Sequence, residues 1–170
     1  MKELFSHKWW TIIEETAPLP DGRVKTLYRA KRPDIVHVLP FVTEKTLLIL
    51  EEYRPFYGDW IWMLVSGRVD KESDLMVAAH RELREETGKR ATSMSYLFSG
   101  NIAESILSTN HFFVAHNLVD DPLPQDDYEM IKVHELTPEK ALEKVLGSKV
   151  VQMASAYGLM RYMRENGKDA

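Results

Sequence analysis

A mixed α/β domain with helices packed on a sheet is the fold class that the residue pattern predicts. Three observations carry it. The first third of the chain alternates β-rich runs with turn chemistry. From Asp74 to Thr87 the apolar spacing lengthens to that of a helix. Beyond Gly88, further β-rich runs are followed by two helical segments.

In order along the chain, Thr11 to Thr16 and Arg23 to Arg29 flank Pro18-Leu19-Pro20-Asp21-Gly22, whose turn residues predict a hairpin. Asp34 to Val42 and Thr46 to Leu50 are β-rich runs separated by Thr43-Glu44-Lys45. Tyr53 to Trp62 is rich in aromatic residues and interrupted by Pro55 and Gly58. In the helical stretch Leu75, Ala79 and Leu83 recur at i+4 with Met76 beside them. Ser73 is the expected N-cap, Asp74 suits the first turn, and Gly88 is the expected stop. Strands are then expected at Ser95 to Phe98, His111 to His116 and Met130 to Glu135. The Pro- and Asp-rich stretch Asp120 to Asp127 reads as a surface loop. Pro138 opens a short helix to about Leu146 with Gly147 beyond it, and Val150 to Arg164 reads as the last helix. There is no repeat and no low-complexity segment, so residues 1–170 read as one domain.

Composition excludes several kinds of chemistry. The 170 residues are 44% hydrophobic and 28% charged, which is ample for a core. A formal charge of −4 argues against a nucleic-acid polymer as partner, because such binding leans on surplus Lys and Arg. It leaves room for a small phosphate-bearing ligand, since a metal ion supplies positive charge locally. With no cysteine, disulfides, thiolate catalysis and Cys-based zinc sites are out. No two of the six His show HxH or HExxH spacing, so a zinc site is not expected, and His80 is expected to be exposed. Met1 to Trp10 is polar and does not read as a secretory signal, and no stretch approaches the roughly 20 apolar residues of a bilayer span. A cytoplasmic protein without a membrane partner is expected.

Chemistry concentrates in Arg81-Glu82-Leu83-Arg84-Glu85-Glu86-Thr87-Gly88. On a helix, Glu82, Glu85 and Glu86 fall at i, i+3 and i+4 and gather on one face. Three clustered carboxylates repel unless a cation sits among them, and oxygen-only ligands suit Mg²⁺ or Mn²⁺. The plainer reading is a solvated face on which Arg81 pairs with Glu85 at i+4.

Wider spacing weighs against that plainer reading. Gly67 lies fourteen residues before Arg81, and Arg81, Glu82, Leu83, Glu85, Glu86 and Gly88 follow in register, so residues 67–89 resemble the Nudix box G-x5-E-x7-R-E-U-x-E-E-x-G-U. Such a run arises by chance on the order of once in a million windows. Two positions depart: the first Glu of the box falls on Ser73, with Glu72 one residue early, and the last aliphatic position is Lys89. In the family that Glu is thought to brace the loop against the box Arg. Here Ser73 is assigned to the helix cap and Glu72 is left to reach Arg81.

The resemblance runs from about Phe5 to Arg161 and points to the ADP-ribose pyrophosphatase-like subgroup. Leu19-Pro20-Asp21-Gly22-Arg23 looks like its hairpin turn, and Glu52-Tyr53-Arg54-Pro55 with Gly58 and Trp62 is similar to its Glu-Gln-Tyr-Arg segment. Asp127 to Ile131 and Leu136 to Leu142 resemble its final strand and helix. Where the subgroup reads Glu-Leu-Pro-Ala-Gly before the box, this chain has Met63-Leu64-Val65-Ser66-Gly67. An acidic residue is therefore absent at Met63 and a Pro at Val65.

The resemblance implies a Nudix fold, a mixed β-sheet sandwiched between helices. Its N-terminal antiparallel strand region, about residues 1–45, is expected to build a homodimer. It implies Mg²⁺-dependent hydrolysis of a nucleoside diphosphate derivative, with ADP-ribose the expected substrate. Glu82, Glu85, Glu86 and the backbone carbonyl of Ser66 are the implied metal ligands, Arg54 the phosphate or ribose contact, and Arg81 the residue that positions the carboxylates. A general base is sought among Glu104, Glu129 and the box Glu residues. Trp9, Trp10, Trp60 and Trp62 offer apolar area for an interface or for base stacking, with Trp60 and Trp62 taken as substrate contacts and at least half of the four expected to be plain packing. The alternatives are a hydrolase for another nucleotide sugar or dinucleotide, and a Nudix-fold sensor that binds without cleaving.

Overall fold

Period-two alternation gives each strand two faces, and in the computed structural model, which describes residues 1–70 and 74–166, those faces meet different helices. The strands are β1 (Lys2–His7), β2 (Trp10–Pro18), β3 (Val24–Lys31), β4 (Ile35–Pro40), β5 (Leu47–Arg54), β6 (Asp59–Met63), β7 (Val65–Arg68), β8 (Lys89–Asn101), β9 (Ile106–Leu107), β10 (Thr109–Asp120) and β11 (Ile131–Leu136). The helices are α1 (Leu75–Thr87), α2 (Pro138–Leu146) and α3 (Met153–Asn166).

Three sheets form. The N-terminal sheet runs β1-β2-β3-β9, the central one β7-β4-β10-β8, and the third β11-β5-β6. In the central sheet β4 and β10 are parallel while the flanking pairs are antiparallel, so the sheet is mixed as expected. Val36, Val38, Leu50, Ile61, Met63, Phe113 and Ala115 turn to one side and pack on Ala78, Ala79 and Leu83 of α1. Their neighbours Leu39, Ile49, Leu64, Phe112 and Val114 turn to the other and meet Ala141, Val145, Ala156 and Leu159 of α2 and α3. The two faces of the strands are thus buried between helices, each fully covered Leu or Phe contributing about 1.5–3 kcal/mol.

The expected hairpin is present. β2 and β3 pair from Thr11↔Lys31 to Pro18↔Val24, and Gly22, at φ +85°, closes the turn with its N–H on the Leu19 carbonyl. Gly88 ends α1 in the left-handed region at φ +71°, and Thr137 caps α2 with Pro138 in its first turn. The cap of α1, however, is Asp74 and not Ser73. The Asp74 carboxylate accepts the N–H groups of Met76 and Val77 at 2.8 and 3.1 Å, which an Asp does only from the cap position. Ser73 and Glu72 lie outside the described residues. α3 starts at Met153, later than Val150; Val150 and Val151 precede it as irregular chain, each packed against one of the two cores. β1 was not foreseen: all six of its residues are exposed, so it has no buried face to produce alternation. Among the described residues no helix is long and apolar enough to cross a membrane.

Candidate active site

The packing of α1 decides where its carboxylates point. Ala78, Ala79 and Leu83 hold the helix against the central sheet, which turns Glu82 and Glu86, four residues apart, toward β7. The Ser66 N–H donates to Glu86 Oε2 at 2.9 Å. At Gly67 the strand approaches Glu82 so closely that a Cβ there would overlap its carboxylate. This close approach explains the glycine fourteen residues ahead of Arg81.

Arg81 is the electrostatic hub. Its Nη1 lies 2.8 Å from both Glu82 Oε1 and Glu85 Oε2, and its Nη2 donates to the Arg68 carbonyl at 3.0 Å. The i+4 pair with Glu85 therefore forms, but the Arg81 side chain is only 12% exposed, so this is no solvated surface pair. Asp70 approaches Arg81 at 3.9 Å and Arg68 at 3.4 Å.

Negative charge is in excess behind this hub. Burial raises Glu82 to about 7, against the pull of Arg81 and with the push of Glu85. Glu86 is raised well above the usual carboxylate range by burial, then by the charges of Glu82, Glu52 and Glu129, although the Ser66 N–H opposes the shift. Glu52 is raised to about 7 by burial, despite an Arg54 Nη2 contact at 2.7 Å. Glu129 is raised by burial and by Asp126. These groups disfavour one another's ionisation, which is the condition a bound cation relieves.

The carboxylates and guanidinium groups share one cleft of about 980 Å³. Arg54, Ser66, Arg81, Glu82, Glu85 and Glu86 all line it, so six of the residues singled out from sequence are brought together. Three are not. Glu104 lies in an exposed turn away from the cleft, its carbonyl accepting from Arg29 at 3.1 Å. Trp60 stacks edge-on with Tyr53 under Lys132, and Trp62 stacks on His134; neither lines the cleft. The N-terminal pair Trp9 and Trp10 does, with the Arg68 guanidinium 4.2 Å from the Trp9 ring centre. His80, expected to be exposed, is half-buried, and burial lowers its pKa.

Sequence reasoning missed Arg68, Asp70 and Glu52. Arg68 and Asp70 follow Gly67 within the box, so proximity to that glycine was an available signal. Glu52 belongs to the Glu52-Tyr53-Arg54-Pro55 segment, where period two puts it on the face of Arg54; β5 and β6 set Leu50 opposite Met63, and Arg54 touches both Glu52 and the Met63 sulfur, at 2.7 and 3.2 Å. A carboxylate thus stands near the position where Met63 lacks one.

The model of the NUDIX domain family matches residues 31–154, most of the chain and every carboxylate and arginine named above in the cleft. The chain belongs to the Nudix family. The ADP-ribose pyrophosphatase of Bacillus subtilis (strain 168) is 28% identical over 164 residues, covering 93% of this chain and 87% of that protein. The methanol dehydrogenase activator of Bacillus methanolicus is 27% identical, covering 85% and 80% respectively. A solved structure described as an ADP compounds hydrolase superposes with a TM-score of 0.79 over 98% of this chain and 93% of its own, at 19% identity, and so shares the fold. The protein is a Nudix hydrolase resembling the ADP-ribose pyrophosphatases.

Nudix hydrolases generally use divalent metals, and the donor set here suits one: Glu82, Glu85, Glu86 and the Ser66 carbonyl are oxygen ligands, and the buried carboxylates carry raised proton affinity. Glu82, Glu85 and Glu86 all line the cleft, and Arg81 holds both Glu82 and Glu85. Among the described residues no three Asp, Glu or His side chains converge on a single point. The fit is therefore of three carboxylates that line one cleft without converging on a single point among the described residues.

Proposed function

We propose that this Nudix protein is a cytoplasmic homodimer that hydrolyses the pyrophosphate bond of a nucleoside diphosphate derivative, with ADP-ribose cleaved to AMP and ribose 5-phosphate. One observation carries the reading: buried Glu82 and Glu86, both raised in proton affinity first by burial, line a cleft that also holds Arg54, Arg68 and Arg81. A site with both buried carboxylates of raised proton affinity and cationic side chains suits a divalent cation bound to a polyphosphate.

Glu82, Glu86, Glu85 and the Ser66 carbonyl are the residues that would hold Mg²⁺, or Mn²⁺ in its place. When bound, the ion neutralises phosphate oxygens and makes water a better nucleophile. The chain's own residues supply the rest. Arg54 and Arg68 hold the phosphates in line for attack, and Arg81 fixes Glu82 and Glu85 so that they are ready before substrate arrives. Water oxygen joins phosphorus, the bridging oxygen leaves with the second phosphate, and a proton is released. Glu129 lines the cleft and is raised in proton affinity, so its carboxylate is better placed to accept that proton than Glu104. The N-terminal sheet exposes Leu4, Phe5, Val24 and Tyr28, apolar area that a second copy would cover. Sedimentation equilibrium at the monomer mass would remove the dimer from this reading.

The test is incubation with ADP-ribose and Mg²⁺, reading AMP and ribose 5-phosphate, with Glu86→Gln alongside. Wild type is expected to turn over and Glu86→Gln to lose at least about 10²-fold in kcat. If neither the wild type nor a panel of nucleoside diphosphate derivatives gives product while ligands bind, the protein is a sensor and the enzymatic reading fails.

A further inference from the structure

Glu52 is a carboxylate set among apolar side chains. It shares a face of β5 with Leu50 and Arg54, and its neighbours across the strands are Ile61 of β6 and Ile131 of β11. It is 4% exposed, on the side of the strands that packs on α1. Burial raises it to about 7, against the pull of Arg54 and with the push of Glu129. Replacing a buried ion pair by apolar residues of similar volume is often neutral or stabilising, so stability gives no reason for a carboxylate here.

What the carboxylate does is hold one end of Arg54. Glu52 Oε2 lies 2.7 Å from Arg54 Nη2, and Met63 Sδ lies 3.2 Å from the same nitrogen. The Arg54 side chain is 40% exposed and lines the cleft with Arg81, Glu82 and Glu86. Its Nε and Nη1 have no acceptor among the described residues, and both remain accessible. The guanidinium is thus fixed to the wall by Nη2, with two nitrogens left for a ligand.

Nothing else holds this side chain. The Arg54 backbone is set by the turn after β5, its carbonyl accepting the N–H groups of Tyr57 and Gly58 at 2.9 and 3.0 Å. The side chain beyond it is long, and an unheld arginine samples many rotamers whose freezing on binding weakens the contact. A guanidinium is planar and its donors keep fixed directions, so an anchor at one nitrogen restricts where the others point.

We propose that Glu52 is a positioning residue that holds Arg54 ready to receive the phosphates of the nucleoside diphosphate derivative. The inference rests on the proposed function for Arg54 as a phosphate contact. Glu52 itself does not line the cleft, so its effect on the substrate passes through the guanidinium. Without the carboxylate, Nη2 keeps only the Met63 thioether, a weak acceptor.

A double-mutant cycle tests it, with wild type, Glu52→Leu, Arg54→Ala and the double variant compared in two measurements. The first is kcat/KM for ADP-ribose with Mg²⁺. The second is calorimetric binding of its α,β-methylene analogue with Mg²⁺, whose bridging carbon resists cleavage. Melting temperatures show that each variant is folded, and Glu52→Met carries the test if Glu52→Leu is not. With Arg54 present, Glu52→Leu is expected to lower kcat/KM and to weaken binding at least about tenfold; on Arg54→Ala the same change should move either by less than about threefold. Glu52→Gln, which keeps an acceptor for Nη2, is expected to recover part of the loss. Hydrolysis that Glu52→Leu leaves at the wild-type level, or lowers equally with and without Arg54, overturns the positioning role and leaves the proposed function standing. Binding without hydrolysis of ADP-ribose or of any nucleoside diphosphate derivative overturns the proposed function. In that case an effect of Glu52→Leu on binding that requires Arg54 keeps the positioning role, and its absence overturns that role too. Neither hydrolysis nor binding overturns both.

Discussion

Gly67→Ala separates site geometry from stability. Gly67 is not among the positive-φ glycines, so alanine can adopt the backbone there. The nearest atoms that the new methyl group meets are those of the Glu82 carboxylate, the far end of a flexible side chain. To reach an ordinary carbon contact of about 3.5–4.0 Å, that carboxylate must retreat by roughly 2 Å. Glu82 is buried and its Oε1 is held 2.8 Å from Arg81 Nη1, so the retreat forces an unfavourable rotamer and stretches the ion pair. An off-rotamer side chain costs about 0.5–1.5 kcal/mol. Replacing Gly by Ala where the backbone permits returns about 0.4–1 kcal/mol through the unfolded chain. Net stability should therefore change by less than about 1 kcal/mol, or roughly 2–4 °C in melting temperature. Activity should not be spared, because an ångström of misplacement at a reacting centre costs on the order of 10²-fold. The assay is kcat for ADP-ribose across a Mg²⁺ titration beside a thermal melt. A folded Gly67→Ala variant with wild-type kcat and wild-type Mg²⁺ dependence would refute the reasoning, since Glu82 would then be displaceable without consequence.

Without metal, stability should fall as pH rises. Glu52 and Glu82 are each raised to about 7 in the fold. A carboxyl with a raised folded pKa contributes stability that is full below its unfolded value and lost as pH climbs through 7, at most on the order of 3 kcal/mol per group. In EDTA the protein should melt several degrees lower at pH 8 than at pH 5, and Mg²⁺ should restore more at pH 8; equal melting at the two pH values would show that these carboxyls ionise freely. The tryptophans should divide by position, Trp9→Ala raising KM roughly tenfold at unchanged kcat and Trp62→Ala leaving both constants alone while lowering the melting temperature. Kinetics in which Trp62→Ala is the damaging change would reverse the placement of the two residues relative to the cleft.

How far the sequence could be read depended on whether an element's evidence was local. The hairpin at Pro18–Val24, the stops at Gly88 and Gly147 and the opening of α2 at Pro138 are local chemistry, and each is where turn and cap rules put it. The one-residue error at the start of α1 arose because Ser73 and Asp74 are both good caps, and only the bonds to Met76 and Val77 distinguish them. β1 and β9 escaped notice because one has no buried face and the other is two residues long. At the site, Glu82 and Glu86 were legible because helical spacing alone places them together. Trp60 and Trp62 were misdirected because an aromatic run does not reveal which side of a strand each ring takes until the partner strands are known.

The sequence by itself determined the family, the carboxylate helix and the glycine in front of it, because residues a few turns or one loop apart carry their geometry with them. Only the tertiary structure decided which cations meet those carboxylates, that Trp9 rather than Trp62 lines the cleft, and that His37 and Asn110 form a pair. His37 and Asn110 come from β4 and β10, and the cleft gathers Trp9, Arg54 and Arg68 from separate segments, so strand register, set by packing over the whole core, is what brings them within reach.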